Sequence, residues 1–529
     1  MIADGSSASA PRVTVPRDFN AAVDLLDRNL AAGRGDKLAF VDDHNSLTYA
    51  QLAECVNRAA GALRRLGVQP EQRIMLCLLD TVDFPAAFLG AIKAGIVPVP
   101  VNTLLTPADY EFMLRDSRAR ALIVSDALYD KLAPALANQP ALEHVIIAGA
   151  APAGRLSFTT LLTAAPAKAP AAATTCDDIC FWLYSSGSTG APKGAMHLHA
   201  HLTLTAELYA KPVLGIRESD TVYSAAKLFF AYGLGNALTF PMAVGATSIL
   251  LAERPTPASV IRVLREKKPT IFYGVPTLYA ALLSSADLPQ RGELMLRRCV
   301  SAGEALPEDI GKRWTERLGV EILDGIGSTE MLHIFLSNRP GEVRYGTTGV
   351  PVPGYEIRLV DEDGKPTKDG EIGELQVTGP TSAAGYWNNR SKSRDTFLGA
   401  WTRSGDKYTR DAQGYYTYGG RADDMLKVSG MYVSPFEVEA ALMTHADVLE
   451  AAVIGRADDQ KLVKPKAFVV LKSPDKTCEE LARALQEHVK TALAPYKYPR
   501  WIEFRTELPK TATGKIQRFK LRAERIVTR

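Results

Sequence analysis

Short apolar runs alternate along the chain with longer segments whose apolar residues recur at helical spacing. Residues 38–41, 73–79 and 121–125 are apolar runs of strand length, and the last two are each followed by a helical pattern. Thr48 is placed to cap a helix that begins near Tyr49 and ends near Leu66. Strands that alternate with helices in this way predict βαβ units and mainly parallel sheets.

The same alternation continues through residues 248–251, 270–274 and 299–301. Beyond Gly349 the apolar positions instead recur with period two, as at residues 356–360 and 374–378, which predicts a small unit of half-exposed antiparallel strands. Residues 150–175 are rich in Ala, Pro and Thr and are interpreted as a connector.

After Gly419 and Gly420, about a hundred residues carry their own pattern of two helices and two strands. The helices are predicted at 435–443 and 478–493, and the strands at 449–454 and 466–470. A chain of 529 residues is also longer than a single hydrophobic core usually supports. We therefore predict an α/β protein with a large N-terminal domain (1–422) of mainly parallel βαβ sheets plus a small β-rich unit, and a smaller α+β C-terminal domain (423–529).

Composition narrows the class of protein. Hydrophobic residues make up 46% of the chain and charged residues 23%, as in ordinary globular proteins. A net charge of +3 argues against a dedicated surface for nucleic acid or for an anionic membrane. Six scattered cysteines and an N-terminus without a basic region and apolar run predict a reduced, cytoplasmic protein. The most apolar segment, 86–101, is interrupted by Lys, Gly and Pro and is too short to span a bilayer.

The strongest candidate for chemistry is the Gly/Ser/Thr segment 184–194, which has a lysine near its end. Its glycines allow close approach of the backbone, and its N–H groups, hydroxyls and ammonium suit a polyphosphate. It does not have the spacing of a Walker A loop. A flexible linker is the alternative, but the apolar run 179–183 before it favours a buried strand that leads into a phosphate-binding turn.

Further motifs follow this loop in a fixed order. They are Ser-Ala-Gly-Glu at 301–304, Gly-Ser-Thr-Glu at 327–330, Gly-Glu-Leu at 373–375, Gly-Tyr-Trp-Asn at 385–388, Ser-Gly-Asp at 404–406, Gly-Arg-Ala-Asp-Asp at 420–424 and Pro-Lys-Thr-Ala-Thr-Gly-Lys at 509–515. In this order the set resembles the adenylate-forming superfamily of acyl-CoA synthetases, luciferases and adenylation domains over nearly the whole chain. Within it, residues 229–236 and 324–330 most resemble benzoate–CoA ligases.

The resemblance implies activation of a carboxylate by ATP. Attack on the α-phosphate gives an acyl-adenylate, and coenzyme A then displaces AMP to form a thioester. The family roles would place ATP and AMP at Ser185, Ser186, Gly187, Ser188, Thr189, Gly190, Lys193, Ala302, Gly303, Glu304, Asp324, Gly325, Ile326, Thr329, Asp406, Tyr418 and Arg421. Asp406 would bind the ribose hydroxyls, although an Asp after a glycine turn is ordinarily turn chemistry.

Three residues would carry the catalytic roles by the same resemblance: Lys515, Glu330 and Thr189. Glu330 would hold the Mg²⁺ that accompanies ATP, since hard cations take carboxylate oxygens. A solvated surface glutamate is the alternative. Lys515 would bridge the carboxylate and the α-phosphate, whereas without the motif it is one of many exposed lysines.

The family also implies a C-terminal domain that rotates between the two half-reactions about a hinge at Asp423. Rotation would remove Lys515 and bring Ser429 and Gly430 to the site, where Gly430 leaves room for the pantetheine arm of coenzyme A. A plain turn glycine is the alternative for that position.

Ile326 departs from the pattern of the family that the chain resembles. Many family members have an aromatic residue where this chain has Ile326, so base stacking at that position is not expected to be strong.

His197, His199 and His201 alternate along the chain, and alternating ligands on one strand would share a face. No neighbouring cluster completes a metal site, so a metal is the less favoured interpretation.

The acyl pocket, by family analogy, draws on Ala231, Tyr232, Ala302, Gly327, His333 and Ile334. These segments contain no Lys or Arg, and Lys227 lies just outside them. An uncharged aromatic acid is therefore expected, with benzoate first and a role in the breakdown of aromatic acids. Other aryl-CoA ligases (aminobenzoate, hydroxybenzoate or cyclohexanecarboxylate), a stand-alone adenylation domain that loads a carrier protein, and a non-enzymatic nucleotide-binding protein are the alternatives. The expected partners are small molecules, in a monomer or homodimer.

Overall fold

The computed structural model describes residues 13–185, 192–421, 424–428, 431–459, 462–473, 477–510 and 516–523. Its largest sheet has nine strands, and those from Leu38–Val41 to Ile322–Gly327 pair in parallel, with antiparallel strands at both edges. In spatial order the strands are Val350–Pro351, Ile334–Ser337, Ile322–Gly327, Arg298–Ser301, Ile271–Gly274, Thr221–Ser224, Thr247–Ile249, Leu38–Val41 and Ser46–Thr48.

A second sheet is parallel throughout. Its strands, in spatial order, are Val97–Pro100, Arg73–Cys77, Ala121–Ser125, His144–Ala148 and Leu156–Ser157. The prediction of a mainly parallel α/β domain is therefore confirmed. One buried cluster joins apolar side chains of the Leu38–Val41 and Arg73–Cys77 strands to the helices between them, so the two sheets share a core.

Helices connect these strands. The α-helices are Ala21–Ala31, Tyr49–Arg65, Asp83–Lys93, Pro107–Ser117, Asp126–Leu132, Phe158–Ala164, His199–Thr205, Ala231–Leu234, Phe240–Val244, Pro257–Glu266, Pro276–Leu283, Glu308–Leu318 and Arg390–Thr396. Ala133–Leu136 is a 3₁₀ turn, and Ala206–Leu214 and Gly235–Thr239 are π-helical. Thr48 caps its helix as predicted: its hydroxyl accepts from the Gln51 N–H, and the Gln51 side chain accepts from the Thr48 N–H.

The interpretation of residues 150–175 as a plain connector was wrong. The segment contains the edge strand Leu156–Ser157 and the helix Phe158–Ala164. Ser157 caps this helix by accepting from the Thr160 N–H, and Phe158 is buried in the core. Arg58 donates to the carbonyl of Ala165 just past the helix end. Tertiary contacts from Arg58 and the core thus order a segment whose composition suggested a loop.

The predicted β-rich unit is an antiparallel sheet of Glu356–Val360, Gly373–Thr378, Trp401–Arg410, Phe397–Leu398 and Tyr416–Arg421. A smaller antiparallel sheet combines Gly385–Tyr386, Lys193–Leu198 and Ile179–Ser185. The candidate phosphate loop leaves the end of Ile179–Ser185 and re-enters at Lys193–Leu198.

The C-terminal part has a hairpin of Leu426–Val428 and Met431–Val433 and a sheet of Val448–Ala457, Val463–Leu471 and Trp501–Arg505. Its α-helices are Pro435–Met443, Glu479–Ala492 and Arg518–Ala523, with a 3₁₀ turn at Pro495–Lys497. Among the described residues, no buried apolar cluster combines side chains from both sides of position 422. No helix in the part of the chain that the structure describes has the length and apolar character needed to span a membrane.

Candidate active site

The two ends of the candidate phosphate loop meet at Glu330. Ser185 pairs with Lys193 across the hairpin, so the loop begins and ends at one point. The Ser185 hydroxyl donates to Glu330 Oε1 at 3.3 Å. The Lys193 ammonium lies 4.8 Å from the centre of the Tyr386 ring. The predicted loop residues Ser186, Gly187, Ser188, Thr189 and Gly190 lie outside the described residues.

The Glu330 carboxylate is half-buried and is held by hydrogen bonds. Tyr386 donates its hydroxyl proton to Glu330 Oε1 at 2.7 Å, and the Ala383 N–H donates to the Glu330 carbonyl at 2.8 Å. Burial lowers the pKa of Lys193, and the nearby Glu330 carboxylate opposes that shift. A carboxylate and an ammonium therefore stand together at the mouth of the loop, which is the donor set that a magnesium–triphosphate requires.

Several of the residues predicted to bind ATP or AMP lie along or directly after adjacent parallel strands. Ala302, Gly303 and Glu304 follow directly on Arg298–Ser301, and Ser301 pairs with Asp324 on the next strand. Because carboxyl ends of parallel strands share one edge, these residues line the edge where α/β sheets bind ligands. Gly303 has φ +94°, a conformation that suits glycine. Burial raises the pKa of Asp324 well above its ordinary value, which favours the neutral acid.

Ile326 and Gly325 continue the same strand. Ile326 pairs with Leu336 on the antiparallel neighbour and is half-buried against the core. A Cβ on Gly325 would lie 3.1 Å from both the Ile334 side chain and the Leu336 carbonyl, so the strand pair is tightly packed here. Thr329 follows two residues beyond the strand and accepts at its carbonyl from His197 Nε2 at 2.8 Å.

The candidate ribose-binding residues face one another across two antiparallel strands. Asp406 pairs with Arg421 in register, and Arg421 Nη1 lies 3.2 Å from Asp406 Oδ1 and 3.2 Å from the Ser404 carbonyl. Tyr418 lies beside them, its ring 5.4 Å from both Tyr408 and Phe436. Since Phe436 belongs to the C-terminal part, Tyr418 is a point of contact between the two parts of the chain.

The candidate acyl pocket is built around His333. Its Nε2 lies 3.1 Å from Asn236 Oδ1 and 3.3 Å from the Tyr232 carbonyl. Both are acceptors, so Nε2 carries the proton. Burial lowers the pKa of His333 to about 3, which leaves the imidazole neutral near pH 7. The Tyr232 hydroxyl lies within hydrogen-bond distance of the Gly274 and Val300 carbonyls.

Aromatic rings enclose the imidazole. The His333 ring lies 5.6 Å from Tyr232, 5.5 Å from Tyr209 and 4.4 Å from Phe240. Gly235 makes this possible, because a Cβ there would lie 2.3 Å from the imidazole. Ala302 and Ile334 are buried, and a Cβ on Gly327 would lie 2.5 Å from the His333 carbonyl. Ala231 begins the short helix that carries Tyr232.

The ammonium of Lys227, at the pocket edge, is engaged in hydrogen bonds to backbone carbonyls. Its ammonium donates to the Leu251 carbonyl and to the Glu253 carbonyl at 2.7 Å. The buried carboxyl of Asp80 accepts from the Leu228 N–H, so this corner supports the backbone that leads into the pocket. Lys227 is therefore poorly placed to neutralise a second carboxylate on a substrate.

The three alternating histidines do not share one strand face. His197 ends up on the strand Lys193–Leu198, whereas His199 and His201 lie on the helix that follows. His199 Nδ1 accepts from the Ala21 N–H at 3.1 Å, and His201 Nδ1 lies 3.1 Å from His197 Nδ1. Among the residues that the structure describes, no group of His, Cys, Asp or Glu is arranged to hold a metal ion.

Four predicted residues of the C-terminal part lie outside the described residues: Asp423, Ser429, Gly430 and Lys515. Their flanks are described. Lys510 bridges to Ile516 on either side of residues 511–515, and Val428 pairs with Met431 on either side of residues 429–430. Asp424, next to the predicted hinge, accepts from Arg522 at 2.7 Å.

Several residues of this site were missed by sequence reasoning. Asn236 and Tyr386 lie inside motifs that were recognised, but nothing in the motif revealed that they hold His333 and Glu330. Tyr209 and Phe240 lie in apolar helices and carry no local signal of a role.

Comparison with known proteins places this arrangement in a family. The model of the AMP-binding enzyme family matches residues 27–387, and that of its C-terminal domain matches residues 437–515. The chain is 61% identical to a benzoate–CoA ligase of Thauera aromatica, over 99% of each chain. It is 54% identical to a 4-hydroxybenzoate–CoA/benzoate–CoA ligase of Rhodopseudomonas palustris, over 96% of this chain and 94% of the relative.

Solved structures agree. A benzoate CoA ligase from Burkholderia xenovorans LB400 superposes with a TM-score of 0.90 at 58% identity, over 95% of this chain and all of the other. The anthranilate CoA ligase AuaEII, solved with anthranoyl-AMP, gives 0.93 at 47% identity, over 96% and 98% of the two chains. The chain therefore belongs to the AMP-binding enzyme family, within the adenylate-forming superfamily of acyl-CoA synthetases.

Proposed function

We propose that the protein is an AMP-forming benzoate–CoA ligase. The observation that carries the substrate assignment is the pocket around His333, where a neutral imidazole is enclosed by Tyr232, Tyr209 and Phe240. Flat apolar walls of this kind suit an aromatic ring, and burying a second charge among them without a partner would cost several kcal/mol. High identity to two ligases whose names include benzoate supports the same substrate.

The first half-reaction joins the acid to ATP. A benzoate oxygen attacks the α-phosphorus, the bond to pyrophosphate breaks, and benzoyl-AMP forms. The phosphate loop and Lys193 would hold the β- and γ-phosphates, while Asp406 and Arg421 would hold the ribose. Glu330 would bind Mg²⁺, which neutralises charge on the phosphates. Lys515 would reach the carboxylate and the α-phosphate as a point charge.

The second half-reaction transfers the acyl group. The thiolate of coenzyme A attacks the benzoyl carbon, and AMP departs with the electron pair of the C–O bond. We propose that residues 423–529 rotate about Asp423 between the two steps and that Ser429 and Gly430 then border the pantetheine arm. The separate apolar cores on the two sides of position 422 are compatible with rotation as rigid bodies. The protein is proposed to act as a monomer or homodimer.

The test is an assay of AMP release over a panel of acids, with and without coenzyme A. We expect benzoate to give AMP, pyrophosphate and benzoyl-CoA with the highest kcat/KM. Phthalate and octanoate should be poor substrates. A preference for octanoate would contradict the aromatic pocket, and ADP among the products would contradict the adenylate.

The same panel of acids distinguishes benzoate–CoA ligation from the activities of related enzymes. A higher kcat/KM for 4-hydroxybenzoate or 2-aminobenzoate than for benzoate would make that acid the preferred substrate. The proposed formation of an adenylate and then a thioester would still hold. AMP release that is independent of free coenzyme A but requires a carrier protein would indicate a stand-alone adenylation enzyme.

A further inference from the structure

His197 links two segments of the candidate active site. It lies on the strand Lys193–Leu198, which continues from the phosphate loop, and is fully buried. Its Nε2 lies 2.8 Å from the carbonyl oxygen of Thr329, the residue before Glu330. A carbonyl only accepts, so Nε2 carries a proton and donates it.

The other side of the imidazole is fixed as well. The ring stacks on Phe181 at 5.2 Å, and Phe181 pairs with His197 across the hairpin from the strand that leads into the loop. His197 Nδ1 lies 3.1 Å from His201 Nδ1, which also accepts from the Leu198 N–H at 3.3 Å. With both ring nitrogens and one ring face engaged, the imidazole has a single orientation.

The turn that receives this hydrogen bond needs support. The Thr329 carbonyl also accepts from the Leu332 N–H at 3.3 Å. Leu332 has φ +67°, which costs free energy for a residue with a bulky side chain. This turn carries Glu330 at its start and leads directly into His333, so its shape determines where both side chains lie.

We propose that His197 is a positioning residue that holds the Thr329–Glu330 segment at a set distance from the hairpin of Ile179–Ser185 and Lys193–Leu198. The inference rests on the proposed use of ATP. Its consequence is specific: loss of the Nε2 donor displaces Glu330 relative to the loop, which weakens binding of magnesium–ATP and slows adenylation. Thioester formation from benzoyl-AMP does not use these phosphate contacts and is left unchanged.

The test compares three variants in the full-length protein. In His197→Gln the amide donor takes the place of Nε2, whereas in His197→Asn it falls short of Thr329 and in His197→Leu it is absent. We expect kcat/KM for magnesium–ATP in pyrophosphate exchange to fall roughly tenfold or more in the Asn and Leu variants, as for loss of a buried hydrogen bond. The Gln variant should stay within about threefold of wild type. The KM for benzoate and the rate of thioester formation from supplied benzoyl-AMP should not change.

His199→Gln is the matched control, because His199 is equally buried on the same connection but bonds to Ala21 and not to the Thr329 turn. It should lower the melting temperature without a selective effect on magnesium–ATP. Equal losses in both half-reactions and for both substrates in the His197 variants would reduce His197 to a structural role and overturn the inference.

Calorimetric titration with a non-hydrolysable ATP analogue and Mg²⁺, without any acid, separates this inference from the proposed function. Absence of binding to wild type would refute the proposed use of ATP. Normal binding to wild type with the same affinity for His197→Asn and His197→Gln would refute the positioning role alone. If His197→Leu does not fold, the Asn and Gln pair still decides between the two results.

Discussion

At the scale of single residues, Tyr386 is the residue that most directly holds Glu330. Its hydroxyl bonds Glu330 Oε1 at 2.7 Å while its ring lies under the Lys193 ammonium. Tyr386→Phe keeps the ring and removes the donor. A hydrogen bond to a charged group contributes about 1.5–3 kcal/mol, so kcat/KM for magnesium–ATP should fall roughly tenfold or more. Titration of activity with Mg²⁺ should show a raised requirement. An unchanged Mg²⁺ requirement would mean that Glu330 is held by its other contacts.

The lowered pKa of His333 predicts how the free energy of unfolding depends on pH. Its pKa is lowered to about 3 by burial, whereas in the unfolded chain it has the ordinary value of about 6.5. As pH falls through this interval, the unfolded chain binds a proton that the folded protein does not, so protonation favours unfolding. Relative to His333→Gln, wild type should lose ~1.4 kcal/mol per pH unit below about pH 6.5.

The measurement for His333 is the difference in melting temperature between wild type and His333→Gln at about pH 7.5, 6 and 5. Using the difference cancels the other buried groups, including Asp80, whose pKa is raised to about 6 by burial and which shifts stability in the opposite direction. A difference that is the same at all three pH values would show that folding does not lower the pKa of His333.

At the scale of elements, the segment 511–515 and residues 429–430, which join the strands Leu426–Val428 and Met431–Val433, are expected to serve opposite half-reactions. Lys515→Ala should slow adenylation by about 100-fold, as for loss of a transition-state donor worth ~3 kcal/mol, and leave thioester formation from benzoyl-AMP largely intact. Gly430→Leu should slow thioester formation and leave adenylation largely intact, because a side chain there would narrow the pantetheine channel. Pyrophosphate exchange and single-turnover thioester formation measure the two steps. Equal losses in both steps for either variant would contradict alternation of the two faces.

At the scale of the whole molecule, the apolar clusters of the described residues predict two units that fold separately. A chain of residues 1–422 should therefore unfold cooperatively and keep its nucleotide site, yet adenylate slowly because it lacks Lys515. Calorimetry and titration with an ATP analogue test this, with the full-length protein as control. An unfolded truncated chain would show that contacts such as that of Tyr418 with Phe436 are required for folding.

Much of this protein could be predicted from its sequence. The alternation of apolar runs and helical segments determined the α/β class, because strand and helix periods are local properties of the chain. Strands such as Leu38–Val41 and Glu356–Val360, and the cap at Thr48, lie where the pattern placed them. The ordered motifs identified the superfamily, because phosphate-binding turns need particular residue types at close spacing.

Other features were decided only by the tertiary structure. The helix Phe158–Ala164 forms in a segment of loop-like composition because Phe158 is buried in the core and Arg58 binds at the helix end. The hydrogen bonds of Tyr386 to Glu330, His333 to Asn236 and His197 to Thr329 join residues that are 56, 97 and 132 positions apart. No local pattern encodes such pairs, since the packing of sheets and helices, and not spacing along the chain, brings their atoms within hydrogen-bond distance.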